Sequence, residues 1–248
     1  MSLRRAAALL LFAALLLYSG CRYRALRAGQ EAVRELAAIS AASPAPEQTP
    51  DTVPMPEDAG RFAPLLERNA DFAGWLHIDD TMIDYPVMQS PDRPDYYLHR
   101  DFDGQPSEAG TPYLSAACDL HSDNLLIYGH NMRDGTMFSD LLRYGDEAYY
   151  RAHPTLRFDT PEASGSYAVL AVFRERVHTR QETGVFRYYS YAGLLTEETF
   201  DDYLAGIRAA ALYDTGCTAV WGDQLLTLST CAYHVPNGRF VLVAVKQT

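Results

Sequence analysis

Runs of apolar residues separated by turn residues predict that most of the chain folds into β-strands. Eight short segments rich in aliphatic and aromatic residues are bounded by Asp, Asn, Gly or Pro. They cover residues 75–78, 83–89, 110–115, 124–129, 155–160, 167–175, 224–230 and 239–246. Short strands at this density, with helical insertions between them, predict a mainly β fold that closes into an eight-stranded barrel.

Three segments within this region depart from the strand pattern and predict helices. Residues 61–69 form a short helical stretch, and residues 136–151 form a second one. In the third, which begins near Thr196, apolar residues recur at the spacing of one helix face. They are Phe200, Tyr203, Leu204, Ile207 and Ala211. The barrel is therefore expected to carry N-terminal helices and a long helix inserted before the strand that ends at Cys231.

The N-terminus carries a separate apolar run. Two arginines precede thirteen apolar residues at positions 6–18, whereas a membrane-spanning helix needs about 20. We expect residues 1–23 to form an uncleaved signal anchor that extends past this run. A cleaved signal peptide, a lipoprotein signal at Cys21 and a buried helix are the alternatives.

The segment between the apolar run and the strands predicts a spacer. Residues 24–42 are rich in Ala and are expected to continue as a helix. Residues 43–59 contain five prolines and no aromatic residue, a composition typical of an extended linker. The predicted layout is an anchor over residues 1–23, a helical stalk and linker over residues 24–59, and a catalytic domain over residues 60–248. Because the linker has no apolar content for a core, we expect residues 60–248 to fold alone.

Charge and cysteine content exclude several classes of protein. The chain has 21 Lys and Arg against 32 Asp and Glu, a net charge of -11, which excludes neutralisation of nucleic-acid phosphates. Its four cysteines form no C-x-x-C pair, which excludes a zinc ribbon and a thioredoxin-type motif. Cys118 and His121 have C-x-x-H spacing, but no second pair completes a metal site. We therefore expect no metal and no cofactor.

Three reactive side chains are predicted to lie at strand ends. Cys231 closes the apolar run at 224–230, His130 follows the run at 124–129, and Arg239 opens the run at 239–246. Each has an ordinary explanation when it is taken alone: a buried thiol, a structural histidine or a solvated arginine. Together, a thiol, an imidazole and a guanidinium can support acyl transfer.

Motifs around these three residues resemble the sortase family of cysteine transpeptidases. The matching segments are TLSTC at 227–231, YGHNM at 128–132 and NGRFVLVAV at 237–245. Residues 69–89, 96–104 and 110–115 resemble the class B branch. The resemblance covers roughly residues 60–246 and implies a sortase-type barrel. It also implies a cell-membrane location, with the barrel displayed outside the cell on a single-pass N-terminal anchor.

The resemblance implies a role for each reactive residue. Cys231 would be the nucleophile, His130 the acid and base, and Arg239 the electrostatic stabiliser. Leu98 and Ser229 match positions that line the peptide groove of class B members, and Thr230 is a separate candidate for the same groove, so we expect these residues to bind substrate. Class B members often have an acid just after the cysteine, but Ala and Tyr follow it in this chain.

The resemblance also implies the reaction and its partners. The enzyme would cleave a C-terminal sorting motif of secreted proteins after Thr. It would then transfer the acyl group to an amine of peptidoglycan or of its lipid-linked precursor. One alternative is a wall-peptide transpeptidase of the L,D type, but its compact S-x-G-C-x-R arrangement is missing around Cys231. The other is a non-enzymatic surface barrel or lipoprotein that acts as a binding module.

Overall fold

The computed structural model describes residues 3–42 and 60–247, so the predicted linker over residues 43–59 lies outside the described residues. Its α-helices are α1 (Leu3–Ala42), α2 (Ala63–Arg68), α3 (Glu147–Ala152) and α4 (Glu197–Ala210). Its strands are β1 (Phe72–His77), β2 (Asp84–Met88), β3 (Tyr113–Leu114), β4 (Asn124–Tyr128), β5 (Thr155–Asp159), β6 (Ser166–Arg176), β7 (Leu225–Cys231) and β8 (Gly238–Lys246). Short 3-10 helices cover Tyr96–His99, Ser139–Gly145 and Tyr188–Tyr191.

The strands close into one barrel in the order β1-β2-β3-β4-β7-β8-β6-β5. The pairs β2–β3 and β4–β7 are parallel, and the other neighbours are antiparallel. Each predicted apolar run overlaps one of these strands, so the prediction of a closed eight-stranded barrel is confirmed. The parallel pairing of β4 with β7 requires a long crossover, and α4 lies within it.

Helix α4 begins where the sequence predicts. Thr196 caps its N-terminus: the Thr196 side chain accepts from the Thr199 amide at 3.2 Å, and the Thr199 hydroxyl accepts from the Thr196 amide at 2.8 Å. The apolar face is buried against the barrel through Phe200, Tyr203, Leu204 and Ile207. The long helix predicted before the strand that ends at Cys231 is therefore present.

The helical stretch predicted over residues 136–151 is divided into two pieces. A 3-10 helix ends at Gly145, and α3 begins at Glu147. Asp146 lies between them with an extended backbone, and its side chain accepts from the Ala148 amide at 2.9 Å. Because a capping residue leaves the helical region, Asp146 stops one helix and starts the next.

The C-terminal part of α1 packs on the barrel. Leu36 is buried in a cluster with Phe62 and Leu65, which joins α1 and α2 to one side of the barrel. Arg61 connects the end of α1 to β5. Its Nε donates to Ser40 Oγ at 2.8 Å, and its Nη1 lies 3.2 Å from Asp159 Oδ2. The helix predicted over residues 24–42 is thus present and packs directly on the domain.

Helix α1 also corrects the prediction for the N-terminus. No helix within residues 3–42 and 60–247 is long and apolar enough to cross a membrane. The prediction of a single-pass anchor over residues 1–23, and the cell-membrane location drawn from it, are therefore wrong. The apolar run is too short, and α1 continues from it directly into Arg22 and Arg24. Arg22 forms an ion pair of 2.6 Å with Glu108 of the barrel.

Candidate active site

The strand register brings the three reactive side chains to one end of the barrel. Cys231 ends β7 and lies directly opposite Arg239 on β8. On its other side β7 runs parallel to β4, with Ser229 opposite Tyr128. His130 follows Tyr128 by two residues, as Cys231 follows Ser229. Because parallel strands end at the same edge, His130 and Cys231 leave the barrel side by side.

Hydrogen bonds continue this pairing beyond the end of β4. The Gly129 amide donates to the Ser229 carbonyl at 3.2 Å, and the Thr230 hydroxyl donates to the Gly129 carbonyl at 2.8 Å. The Asn131 side chain donates to the Cys231 carbonyl at 2.9 Å. The backbone on both sides of His130 is therefore hydrogen-bonded to β7.

A tight turn places Arg239. Asn237 has a positive φ of 56°, and the Ala232 amide donates to the Gly238 carbonyl at 3.0 Å. A Cβ added to Gly238 would lie 2.2 Å from the Ala232 carbonyl oxygen, so only glycine fits there. The Arg239 Nη1 donates to the Gly238 carbonyl at 3.0 Å, which holds the side chain close to its own strand.

The 3-10 helix Tyr96–His99 orients His130. His130 Nε2 lies 2.9 Å from the Leu98 carbonyl oxygen, and because a carbonyl only accepts, this nitrogen carries the proton. The His99 ring stacks on the His130 ring with centroids 5.3 Å apart. Burial lowers the pKa of His130; the Leu98 carbonyl opposes this shift and the charge of His99 adds to it.

All six residues predicted from the sequence line one groove of about 520 Å³. They are Leu98, His130, Ser229, Thr230, Cys231 and Arg239. The hydroxyls of the two small residues are already bonded: Ser229 Oγ lies 2.8 Å from Tyr188 Oη, and Thr230 donates to Gly129. Both residues are buried, whereas Leu98 is half-buried. Ser229 and Thr230 thus form a fixed floor beneath the groove.

The groove also contains residues that the sequence analysis did not predict. They are Pro94, Asp95, Tyr113, Ser115, Ala116, Tyr128, Gly129, Val177, Tyr188 and Tyr189. Tyr113 donates to Asp95 at 2.7 Å and joins β3 to the loop before Leu98. The run of tyrosines at 188–191 was the available signal, but a 3-10 helix has no periodicity long enough to recognise.

The other cysteines are in different surroundings. Cys118 is buried and its thiol donates to the Asn124 carbonyl at 3.3 Å, and burial raises its pKa. Burial also raises the pKa of Cys217, and Cys21 is exposed on α1. Within the part of the chain that the structure describes, no group of three or more His, Cys, Asp or Glu side chains could hold a metal ion.

A thiol beside a guanidinium and an imidazole, in an open groove at the end of a closed β-barrel, defines a cysteine acyltransferase. A family model described as the sortase domain matches residues 76–247. The chain belongs to the sortase family. Several of its relatives are class B sortases, which are cysteine transpeptidases. The resemblance predicted from the motifs is therefore confirmed.

The class B relatives come from several bacteria. Sortase B of Listeria monocytogenes is 35% identical over 169 residues, which are 67% of this chain and 65% of the relative's length. Sortase B of Staphylococcus aureus is 28% identical over 188 residues, 74% of this chain and 73% of that protein. The crystal structure of sortase B from Bacillus anthracis has a TM-score of 0.73 and 28% identity, and the alignment covers 90% of this chain and 98% of that one.

Proposed function

We propose that the protein is a class B-like sortase that cleaves a sorting motif after Thr and transfers the acyl group to an amine of cell-wall peptidoglycan. The observation that carries the proposal is the meeting of Cys231, His130 and Arg239 in one groove. Family membership supports the reaction type. The roles of these side chains follow from their chemistry.

In the first half-reaction Cys231 becomes acylated. The thiolate of Cys231 attacks the Thr carbonyl carbon of the sorting motif, because a thiolate is a far better nucleophile than a thiol. Arg239 stabilises the oxyanion of the tetrahedral intermediate and stays charged throughout. The C–N bond then breaks, protonated His130 gives its proton to the departing amine, and a thioester remains on Cys231.

In the second half-reaction an acceptor amine attacks the thioester. Neutral His130 takes a proton from this amine, a new amide forms, and the Cys231 thiolate leaves. The acceptor is an amine of peptidoglycan or of its lipid-linked precursor. The sequence has a single lysine, Lys246. It lies at the end of β8 away from Arg239, so self-acylation is expected to be negligible.

Substrate contacts are proposed on the same wall as His130. Leu98 is half-buried in the groove and offers an apolar side chain to the sorting peptide. Ser229 and Thr230 support the peptide through the floor of the groove and the position of the nucleophile strand. Ala232 is buried where class B members often have an acid, so no carboxylate assists from that position.

A turnover assay with a sorting-peptide library tests this function. Peptides that contain a Thr at the cleavage position are incubated with the protein, with and without an added amine. The proposal predicts cleavage after Thr, and in the presence of the amine a product joined to it. Absence of turnover with every peptide, together with a Cys231 that does not react with thiol probes, would favour the non-enzymatic binding module.

A further inference from the structure

The loop after β6 forms one wall of the groove. It runs over residues 177–187, from the end of β6 to the 3-10 helix Tyr188–Tyr191. Val177, Tyr188 and Tyr189 from this region line the groove beside Cys231. The contacts that hold this loop in place therefore determine how much of the groove is open to a peptide.

A histidine whose side chain is largely buried lies at the base of the loop between two carboxylates. The His178 side chain is 7% exposed. Its Nε2 lies 3.0 Å from Glu175 Oε1, and its Nδ1 lies 3.5 Å from Glu182 Oε2. Nδ1 is buried and has no hydrogen-bond partner among the described residues.

The two protonation states of His178 fit this position differently. In the neutral ring Nε2 donates to Glu175, so the Nδ1 lone pair faces the oxygen of Glu182 and the two acceptors repel. In the protonated ring both nitrogens donate, and each carboxylate receives a charge-assisted hydrogen bond. The protonated ring therefore offers a donor to each of the two carboxylates, whereas the neutral ring offers a donor to one of them.

The loop is connected to the catalytic arginine by backbone contacts. The Val177 amide donates to the Asn237 carbonyl at 3.0 Å, and the same carbonyl accepts from Arg239 Nη1 at 3.4 Å. The His178 amide donates to the Tyr189 hydroxyl at 3.1 Å, which ties the histidine to a groove residue. A movement of His178 can thus be transmitted to two residues of the groove, Arg239 and Tyr189.

The strand register also connects the carboxylate beside His178 with Arg239 and Cys231. Glu175 lies opposite Arg239 on β8, and Arg239 lies opposite Cys231 on β7. Residues directly opposite each other share one face of the sheet, so Glu175, Arg239 and Cys231 form a row. The carboxylate that holds His178 is therefore the nearest acid to Arg239 in the strand register.

Besides the two carboxylates, the charged groups around His178 are arginines. Arg176 on β6 donates to Glu182 at 3.2 Å and lowers the pKa of Glu182 to about 2. Arg187 from the loop donates to the Thr179 carbonyl at 2.7 Å. Arginine stays protonated throughout, and histidine is the residue type that titrates between about pH 5 and pH 8. Strand β8 contributes one further cation, Arg239, which lies opposite Glu175.

We propose that His178 is a positioning residue that controls the groove wall through its protonation. The protonated form bridges Glu175 and Glu182 and holds residues 177–187 against the groove, and deprotonation releases this wall. The effect on substrate rests on the proposed function, because it is expressed as the KM for the sorting peptide. The bond-forming groups, Cys231 and His130, are unchanged, so the pH profile of kcat should stay the same.

The test compares three forms of the full chain between pH 5.5 and pH 8. In the wild type KM should rise roughly three- to tenfold with pH, as one charge-assisted contact is lost. His178→Gln keeps a donor toward Glu175 but cannot become charged, so its KM should be high and flat, with the pH profile of kcat unchanged. His121→Gln is the control: His121 is 75% exposed, lies 3.7 Å from Glu162, does not line the groove, and should behave as wild type.

A second measurement reads the loop without substrate. Hydrogen exchange of residues 177–189, corrected for the intrinsic effect of pH, should be slower at pH 5.5 than at pH 8 in the wild type and independent of pH in His178→Gln. If this pattern is present but no sorting peptide is turned over, the proposed function fails and the loop inference stands. If KM and loop exchange follow the same pH dependence in wild type and His178→Gln, the inference is wrong. Wild-type exchange that is equal at both pH values would also overturn it.

Discussion

At the scale of single residues, backbone carbonyl groups hold two of the proposed catalytic side chains. The Leu98 carbonyl holds His130, and the Gly238 and Asn237 carbonyls hold Arg239. The sequence motifs predicted which side chains matter. They did not predict the hydrogen bond from His130 to the Leu98 carbonyl. Every residue has a backbone carbonyl, so the sequence does not indicate which one accepts this hydrogen bond.

Arg239→Lys is expected to impair acylation severely although it keeps the charge. The planar guanidinium offers several donors in a fixed fork, whereas Lys offers a flexible, strongly hydrated ammonium. Loss of one oxyanion donor costs roughly 10²–10³ in rate. Single-turnover acylation rates for wild type, Arg239→Lys and Arg239→Ala, with thermal melts as the control, measure this. Near-complete rescue by Lys would show that charge alone suffices, and a large loss of Tm in both variants would make Arg239 structural.

His99→Ala is expected to move the acidic limb of the kcat/KM profile to higher pH. The reaction needs a thiolate with an imidazolium, so the acidic limb follows the more acidic group of the pair. We expect this group to be His130, because burial and the charge of His99 lower its pKa. Removing His99 reduces both effects and therefore raises that pKa. His121→Ala is the matched control, and an acidic limb that does not move or moves to lower pH would contradict this account.

At the scale of elements, the strands could be predicted from the sequence and their pairing could not. Apolar runs mark strands because each strand buries side chains, so each of the eight barrel strands overlaps a predicted segment. The order β4-β7-β8-β6 joins segments far apart in the chain, and a local pattern carries no information about such partners. The break at Asp146 was also missed, because a capping aspartate interrupts a helix without interrupting its apolar pattern.

Gly238→Ala is expected to displace the start of β8. The added Cβ would lie 2.2 Å from the Ala232 carbonyl, and a turn so tight cannot absorb it without moving Arg239. We expect a loss of about 1–3 kcal/mol in unfolding free energy and a fall of roughly 10–100-fold in acylation rate. Gly29→Ala is the control, because a Cβ there meets nothing within 4 Å. Full activity and stability of Gly238→Ala would show that this turn does not position Arg239.

At the scale of the whole molecule, the N-terminal helix is where sequence reasoning failed. A run of thirteen apolar residues predicts an anchor only if the span extends past the end of the run, whereas α1 continues into arginines and packs Leu36 on the barrel. The predicted boundary at residue 60 separates this contact from the domain. Side chains that one helix places on a distant surface are a tertiary feature, and the Ala-rich pattern of residues 24–42 did not reveal it.

Two shortened chains test where the domain begins. We propose that residues 60–248 fold and cleave peptide alone, but less stably than residues 31–248. Only the longer chain buries Leu36, which contributes about 2 kcal/mol. At about 2–4 °C per kcal/mol for a chain of this size, the Tm of the shorter chain should be roughly 4–8 °C lower. Leu36→Ala in the full chain should reproduce most of the loss. Equal Tm values would show that α1 adds nothing, and the absence of a cooperative melt for residues 60–248 would place the boundary further upstream.

The central claim is that Cys231 alone carries the acyl group, and trapping the acyl-enzyme tests it most directly. The protein is mixed with the sorting-peptide library, quenched in acid and digested, and each cysteine-containing peptide is weighed by mass spectrometry. We expect a thioester that hydroxylamine removes, on the peptide with Cys231 only, and none in Cys231→Ala. Cys118 and Cys217 should stay unmodified, because burial raises their pKa. A thioester on exposed Cys21, or one that persists in Cys231→Ala, would contradict the account.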